Sequence, residues 1–290
     1  MAYLYLVIAL IGCSFASVIG AFFNKKNTDK KSPTTLYNFV YCLAAFVCWA
    51  ILFAFEPSFD IAVLPYSIGF GICYAVCNIG LINALRTGPV SLTTLMLQLA
   101  LIGTTMWGFF FWGTKFTVLT GIGLVLVVVS LWLCLYTKSP EKSQNRISIK
   151  WIIFVLMAFA GNAGCAIIQR SQQIAFENKH GNMLMMFALA FAVLSTFIHY
   201  ITGEKSDTKT ILKKSAVLPI LAGIGNVVSN LCIILLAKTT MSPSIIYPVI
   251  AVGGLSITSI FSLLFFKEKL RPMQWIGMVV GAVAVVILSI

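Results

Sequence analysis

Charged residues are scarce in this sequence. Only 10% of its 290 residues are charged, whereas a soluble domain carries about a quarter. The acidic residues number eight, and all fall between apolar runs or at their ends: Asp29, Glu56, Asp60, Glu141, Glu177, Glu204, Asp207 and Glu268. A carboxylate inside a membrane span is the usual device for proton coupling or for holding a lipophilic cation. Its absence disfavours efflux of cationic drugs by carboxylate exchange.

Groups for catalysis and metal binding are also few. The two histidines, His180 and His199, fall in or near loops, and Cys73 and Cys77 have no further Cys or His nearby to complete a metal set. An enzyme would need a nucleophile and base or a metal cluster at membrane depth. We therefore expect no enzyme, no metal and no cofactor. No ATP-binding motif is present, and no loop is long enough to form the soluble domain of a receptor or scaffold.

Apolar residues make up 60% of the chain and occur in charge-free runs of about 20, which is enough for a helix to cross a bilayer. This pattern predicts an all-α polytopic membrane protein with ten transmembrane helices. The predicted spans are 3–23, 34–55, 62–85, 90–112, 117–136, 150–173, 182–202, 216–236, 243–266 and 272–290.

Residues 64–133 are repeated at 218–287 without insertion or deletion. At this spacing of 154 residues, Gly69 and Gly71 recur as Gly223 and Gly225, and Pro89 recurs as Pro243. Helix-breaking residues in register are harder to obtain by chance than matched leucines. The chain therefore divides into a first repeat, 1–137, a polar linker, 138–149, and a second repeat, 150–290. Since each repeat has five spans, an odd number, the two must be inverted relative to each other.

The loop charges predict the orientation. Of the 20 Lys and Arg residues, sixteen follow the odd-numbered spans, and only Lys115, Arg170, Lys179 and Lys238 fall on the other face. Short cytoplasmic loops carry the excess of Lys and Arg. We therefore predict a protein of the cell membrane with both termini outside. The same placement explains the net charge of +12 without nucleic-acid binding.

The segment from Phe265 to Gly277, followed by a Gly- and Val-rich last span, resembles an EamA-type member of the drug/metabolite transporter superfamily. A weaker version of the motif runs from Phe111 to Thr117. The resemblance implies ten spans in two repeats, a central cavity between them, and export or exchange of small metabolites. Members of the family are usually drawn with cytoplasmic termini, whereas the loop charges here predict the opposite.

The predicted spans contain neutral polar side chains in equivalent helices of both halves. We expect the substrate to contact Ser14, Tyr74, Asn78, Gln98, Asn162, Asn226, Asn230 and Tyr247. Amides and hydroxyls offer donors and acceptors without net charge, as a neutral or zwitterionic metabolite requires. Hydrogen bonds between helices are the alternative for each of these residues.

These features predict a secondary transporter, exporting or exchanging a small neutral or zwitterionic metabolite such as an amino acid, by alternating access between inverted repeats. A flippase or carrier for a lipid-linked or anionic compound is the alternative, with Arg86 or Arg170 as the cations. The expected partners are the small-molecule substrate and the lipid bilayer. Gly277 and Gly281 could support a homodimer or pack within the monomer.

Overall fold

The structure is a computed structural model, and it describes residues 2–30, 32–113, 117–135, 148–177, 179–203, 207–237, 239, 243–267 and 271–289. Over these residues the regular secondary structure is helical. The helices are α1 (Ala2–Lys26), α2 (Pro33–Phe55), α3 (Leu64–Thr87), α4 (Val90–Gln98), α5 (Leu101–Phe111), α6 (Val118–Leu135), α7 (Ile149–Ala175), α8 (Gly181–Thr202), α9 (Thr208–Ser215), α10 (Val217–Ala237), α11 (Pro243–Phe261) and α12 (Pro272–Ser289).

Six of the described helices are long and apolar enough to cross a membrane: α1, α2, α3 with the short turn before it, α7, α8 and α10. Large apolar side chains also lie on the outside of the bundle, including Val125 and Val128 of α6 and Ile153 and Leu156 of α7. Such an apolar exterior suits lipid rather than water. The chain is therefore a multi-pass membrane protein.

The predicted fourth span, 90–112, is wrong as a single helix. The structure divides it into α4 and α5, with Leu99 and Ala100 between them. The carbonyl of Leu97, in the last turn of α4, accepts hydrogen bonds from Ala100 N (3.3 Å) and from Nδ2 of Asn162 on α7 (3.0 Å). The last carbonyls of a helix lack partners within it. The Asn162 amide supplies one of the missing donors and so stabilises the break.

A second difference lies in the Lys-rich stretch after Thr202, which the sequence predicts to be a loop. Residues 208–215 form the short helix α9, whose Ile211 is buried while Leu212 and three lysines remain exposed. Tyr200 Oη lies 2.7 Å from Thr208 Oγ1, which fixes the start of α9 to the end of α8. The helix forms because one apolar side chain anchors an otherwise solvated turn.

The helices pack in matched pairs across the two halves. α1 packs on α10 and α3 on α7, while α2 contacts α8 and α6 contacts α12. Glycines permit the closest approaches: a Cβ on Gly71 would collide with the Ala188 carbonyl of α8, and one on Gly223 with the Tyr41 carbonyl of α2. No larger residue fits at either crossing without a shift of the backbone.

The helix ends meet at a cation-rich end of the bundle, where α1, α3 and α11 end and α10 begins. Lys26 Nζ donates to the Lys214 carbonyl (2.6 Å), Arg86 donates to the Lys30 carbonyl (3.2 Å), and Lys25 Nζ donates to the Phe265 carbonyl (3.3 Å). The loops that follow spans one, three, seven and nine therefore share one end, as alternating spans require. Which side of the membrane this end faces remains a prediction.

Some predicted features fall outside the described residues. They include most of the linker, 138–149, and parts of the two family-like motifs, 114–116 and 268–270. The division of the chain into two repeats at that linker stays a prediction.

Candidate functional site

Four neutral side chains form a hydrogen-bonded group in the middle of the bundle, here called the amide–tyrosine network. Tyr74 Oη of α3 lies 3.0 Å from Asn226 Oδ1 of α10 and 3.1 Å from Tyr41 Oη of α2. Asn230 Nδ2 donates to Oδ1 (3.1 Å) and to the backbone carbonyl (2.9 Å) of Asn226. The network therefore links helices of both halves through uncharged groups.

The rings around the network are stacked. The Tyr37 and Tyr41 centroids lie 6.0 Å apart at 11°, and those of Tyr41 and Tyr74 lie 6.3 Å apart at 12°. Phe70 continues the column, 6.0 Å from Tyr74 at 19°. Aromatic faces carry partial negative charge and a large apolar area, so this wall suits a solute with C–H faces as well as polar groups.

A cavity lies beside the network among α1, α2 and α3, and is here called the α1–α3 cavity. The centre of a water molecule can occupy ≈ 20 Å³ of this cavity, which is enough for one or two waters. The lining is Ala16, Gly20, Tyr37, Asn38, Tyr41, Asn78, Leu81, Ile82 and Leu85. These side chains include phenols and amides and carry no charge.

Asn38 is a lining residue that the sequence did not indicate as a candidate. Its side chain is 1% exposed, and neither Nδ2 nor Oδ1 has a hydrogen-bond partner in the structure. Nearly all buried polar groups are paired, so an amide left unpaired on both atoms is unusual. The available signal was weak: Asn38 is the lone amide in the apolar run of α2.

The cavity and the network share Tyr41, and the rest of the cavity lies nearer the cation-rich end. Asn38 lies about 8 Å along α2 from Pro33, and Asn78 about 14 Å from the end of α3 at Thr87. Tyr74 lies one turn deeper than Asn78, whose Nδ2 donates to the Tyr74 carbonyl (2.8 Å). The cavity therefore extends from the network towards the cation-rich end.

Of the eight candidates predicted from sequence, three belong to the network and two bind backbone carbonyls elsewhere in the bundle. Tyr74, Asn226 and Asn230 belong to the network, whereas Ser14 Oγ donates to the Leu10 carbonyl (2.9 Å) and reaches the Gly254 carbonyl of α11 (3.5 Å). Asn162 joins α7 to α4, as described above. Substrate contact by Ser14 and Asn162 stays a prediction. The side chains of Gln98 and Tyr247 lie outside the described part of the structure.

No Asp, Glu, Lys, Arg or His is buried among the described residues. In the same residues the ion pair found is Lys179–Glu177 (3.4 Å), and its side chains are 70% and 83% exposed. Within the described ranges no group of His, Cys, Asp or Glu is arranged to hold a metal ion. The interior that the structure describes therefore offers hydrogen bonds and ring faces rather than charge.

The glycines of the last helix pack inside the monomer. Ser130 Oγ of α6 donates to the Gly277 carbonyl (2.7 Å), and Gly281 faces Leu95 and Ser130. This face of α12 is therefore already in contact with the same chain. Dimerisation through Gly277 and Gly281 stays a prediction.

Comparison with known proteins places the chain beside a transporter family, a curated relative and proteins of known structure. Residues 4–136 match the EamA-like transporter family, in agreement with the resemblance seen in the sequence. Over 254 residues the chain is 23% identical to the "Putative sugar uptake protein lmo0169" of Listeria monocytogenes serovar 1/2a (strain ATCC BAA-679 / EGD-e), covering 84% of this chain and 83% of that protein. A protein of known crystal structure shares the fold with a TM-score of 0.63 at 13% identity, covering 99% of this chain and 95% of the other.

Proposed function

We propose that this membrane transporter, whose residues 4–136 match the EamA-like transporter family, is a secondary carrier for small neutral solutes that bear hydroxyl groups. Sugars are the first candidates. The observation that carries the proposal is the partly buried, uncharged amide–tyrosine network beside a polar cavity. Its chemistry matches hydroxyl groups, which both donate and accept hydrogen bonds.

The absence of buried charge favours a neutral solute over a zwitterion. An amino acid would bring a carboxylate and an ammonium group, and a buried ion without a partner is costly. The described interior has no cation or anion to pair with either group. The Listeria relative is named for sugar uptake, which agrees with a neutral solute. The amino acid expected from sequence becomes the second choice within the same class of carrier.

The cavity volume supports a closed state. Ligand pockets have volumes of roughly 300–1,000 Å³, whereas the α1–α3 cavity holds one or two waters. A sugar can occupy the α1–α3 cavity only if the helices that line it separate. The contacts of Lys26, Lys25 and Arg86 with backbone carbonyls hold the cation-rich end together. We propose that the two ends of the bundle open alternately.

The matched packing supports two inverted repeats. Exchanging each span for its equivalent in the other half turns the pair α3–α7 into α10–α1, and the pair α3–α8 into α10–α2. All four pairs are in contact in the structure. The pairs α2–α8 and α6–α12 map onto themselves. We propose ten spans, with α4 and α5 together forming the fourth, and rocking of one half against the other about this two-fold arrangement.

The test is transport by the purified full chain in liposomes. The panel is labelled D-glucose, D-galactose, D-xylose, L-alanine and glycine, with protein-free liposomes as the control. We expect saturable entry of at least one sugar, acceleration by unlabelled sugar trapped inside, and no change when the pH gradient is collapsed, because the predicted spans contain no carboxylate.

The outcomes separate the parts of the proposal. Entry of amino acids without sugars would overturn the substrate class and leave the carrier. Entry without acceleration by trapped sugar would point to a channel and remove alternating access. A panel that moves no faster than through protein-free liposomes would overturn the proposed function.

We also propose that the protein lies in the cell membrane with its cation-rich end in the cytoplasm, so that both termini are outside. This follows from the sixteen-to-four distribution of Lys and Arg. An epitope tag at either terminus should bind antibody in intact cells, and a tag in the linker, 138–149, should bind only after permeabilisation. The reverse pattern would overturn the orientation.

A further inference from the structure

We propose that Asn38 is a substrate-binding residue that recognises two adjacent hydroxyl groups of the solute. The inference rests on the proposed function and names a contact within that site that neither the family match nor the relative assigns. It begins with the unpaired amide: Asn38 is 1% exposed, lines the α1–α3 cavity, and has no partner for Nδ2 or Oδ1. No other group of the protein satisfies either atom, so the packing of the helices does not explain the presence of an amide here.

The neighbours of Asn38 show why its amide stays unpaired. The adjacent Tyr37 is held by ring contact with Phe23 (4.8 Å between centroids) and by stacking on Tyr41. Across the cavity, Asn78 Nδ2 already donates to the Tyr74 carbonyl. The remaining lining residues from α1 and α3 are aliphatic or glycine: Ala16, Gly20, Leu81, Ile82 and Leu85. The amide therefore faces a space in which a water or a solute hydroxyl can meet it.

The geometry of an amide fits a pair of hydroxyls on neighbouring carbons. One hydroxyl accepts from Nδ2 while the next donates to Oδ1, so both unpaired atoms are satisfied by one solute. The stacked rings of Tyr37 and Tyr41 also line the cavity, so C–H groups of the solute would meet aromatic surface beside the amide. In the empty form, one or two waters fit the ≈ 20 Å³ available. A solute that reproduces the hydrogen bonds of such waters can displace them.

The position of Asn38 also gives it a place on the transport path. It lies about 8 Å along α2 from the cation-rich end, whereas the network lies deeper in the bundle. A solute held by both would bridge the first-half cavity and the second-half residues Asn226 and Asn230. Asn38 would then contact the end of the solute that faces the cation-rich mouth.

Replacement of Asn38 by leucine provides the test, because the two side chains have similar size and Leu removes both polar atoms. The matched control is Asn83→Leu on α3, since Asn83 Nδ2 donates to the Ile79 carbonyl of its own helix (2.8 Å) and lies outside the cavity lining. The melting temperature of each full-length variant is measured in detergent, and glucose entry is measured in liposomes. D-Glucose and its five monodeoxy analogues are then compared as competitors.

We expect Asn38→Leu to melt a few degrees above the wild type, because a buried amide without a protein partner is lost and apolar contacts are gained. Sugar transport should fall at least about tenfold, the ratio expected for one lost hydrogen bond of ordinary strength. In the wild type, two of the analogues, each lacking one of two neighbouring hydroxyls, should compete about tenfold less well than D-glucose. Asn38→Leu should remove that difference. Asn83→Leu should change neither transport nor the competition pattern.

The two readouts distinguish failure of this inference from failure of the carrier. A lower melting temperature for Asn38→Leu than for Asn83→Leu would show that Asn38 has a structural partner, and would overturn the inference without any transport assay. A raised melting temperature with unchanged transport would show that the amide meets only water. If the wild type moves no sugar, the proposed function fails, and the recognition of hydroxyls by Asn38 fails with it.

Discussion

The helices α3 and α10, which the repeat equates, have the same packing but different polar surroundings. Gly71 of α3 lies against a carbonyl of α8, and Gly223 of α10 lies against a carbonyl of α2. In contrast, Asn78 of α3 lines the cavity, whereas Asn230 of α10 donates twice to Asn226. The frame of the protein is therefore close to two-fold, and the polar site within it is asymmetric.

The residue one turn before each asparagine explains this difference. The crossings at Gly71 and Gly223 are 152 residues apart rather than 154, and at that spacing Asn78 corresponds to Asn230 and Tyr74 corresponds to Asn226. Each asparagine donates to the backbone carbonyl one turn before it. Asn226 also offers Asn230 a side-chain oxygen, whereas Tyr74 has a phenol in the equivalent position. Close helix contact requires only that a side chain be absent, whereas a binding site requires particular atoms in particular directions.

The largest expected effects come from the shared frame. Gly71→Ala and Gly223→Ala each place a methyl group against a backbone carbonyl, so the helices must move apart. Each should lower the free energy of unfolding by about 1–3 kcal/mol, as overpacking does. The measurement is the melting temperature of the purified protein in detergent.

The control for both variants is Gly181→Ala, because a Cβ at Gly181 would meet no atom within 4 Å. That change should leave the melting temperature unaltered or slightly raised. Similar losses at positions 71 and 223 would support the two-fold frame. If alanine is tolerated at one position and not at the other, the comparison of the two helices is mistaken.

The sequence alone indicates much of the frame, because spans and packing glycines leave local signals. The apolar runs predict α1, α2, α3, α7, α8 and α10 to within a few residues. The break between α4 and α5 leaves no such signal, since Leu99 and Ala100 suit a helix interior. It depends on a distant donor, the amide of Asn162, that meets the Leu97 carbonyl only after folding.

The binding site is less predictable, for a similar reason. Tyr74, Asn78, Asn226 and Asn230 could be selected as amides and phenols one turn apart within spans. Asn38 could not, because its distinguishing property is the absence of hydrogen-bond partners in three dimensions. A sequence shows where a polar group is, and the packing of other helices decides whether it is paired.

Loss of the hydrogen bond between α3 and α10 has the smallest expected effect on stability. Tyr74→Phe removes the hydroxyl that lies 3.0 Å from Asn226 Oδ1 and keeps the ring stack. We expect a loss of about 0.5–1.5 kcal/mol in the free energy of unfolding, the net value of one hydrogen bond, measured by thermal unfolding in detergent. Tyr66→Phe is the control on the same helix, because the Tyr66 ring packs edge-on against Phe176 and should be unaffected.

A double-mutant cycle with Asn226→Leu decides whether that hydroxyl joins the halves. If Tyr74 and Asn226 stabilise the protein through one shared bond, Tyr74→Phe should cost almost nothing once Asn226 is leucine, because the partner is already gone. An undiminished loss in the Asn226→Leu background would mean that the hydroxyl acts through Tyr41 within the first half. The Tyr74 hydroxyl would then belong to one repeat and would not join the two halves.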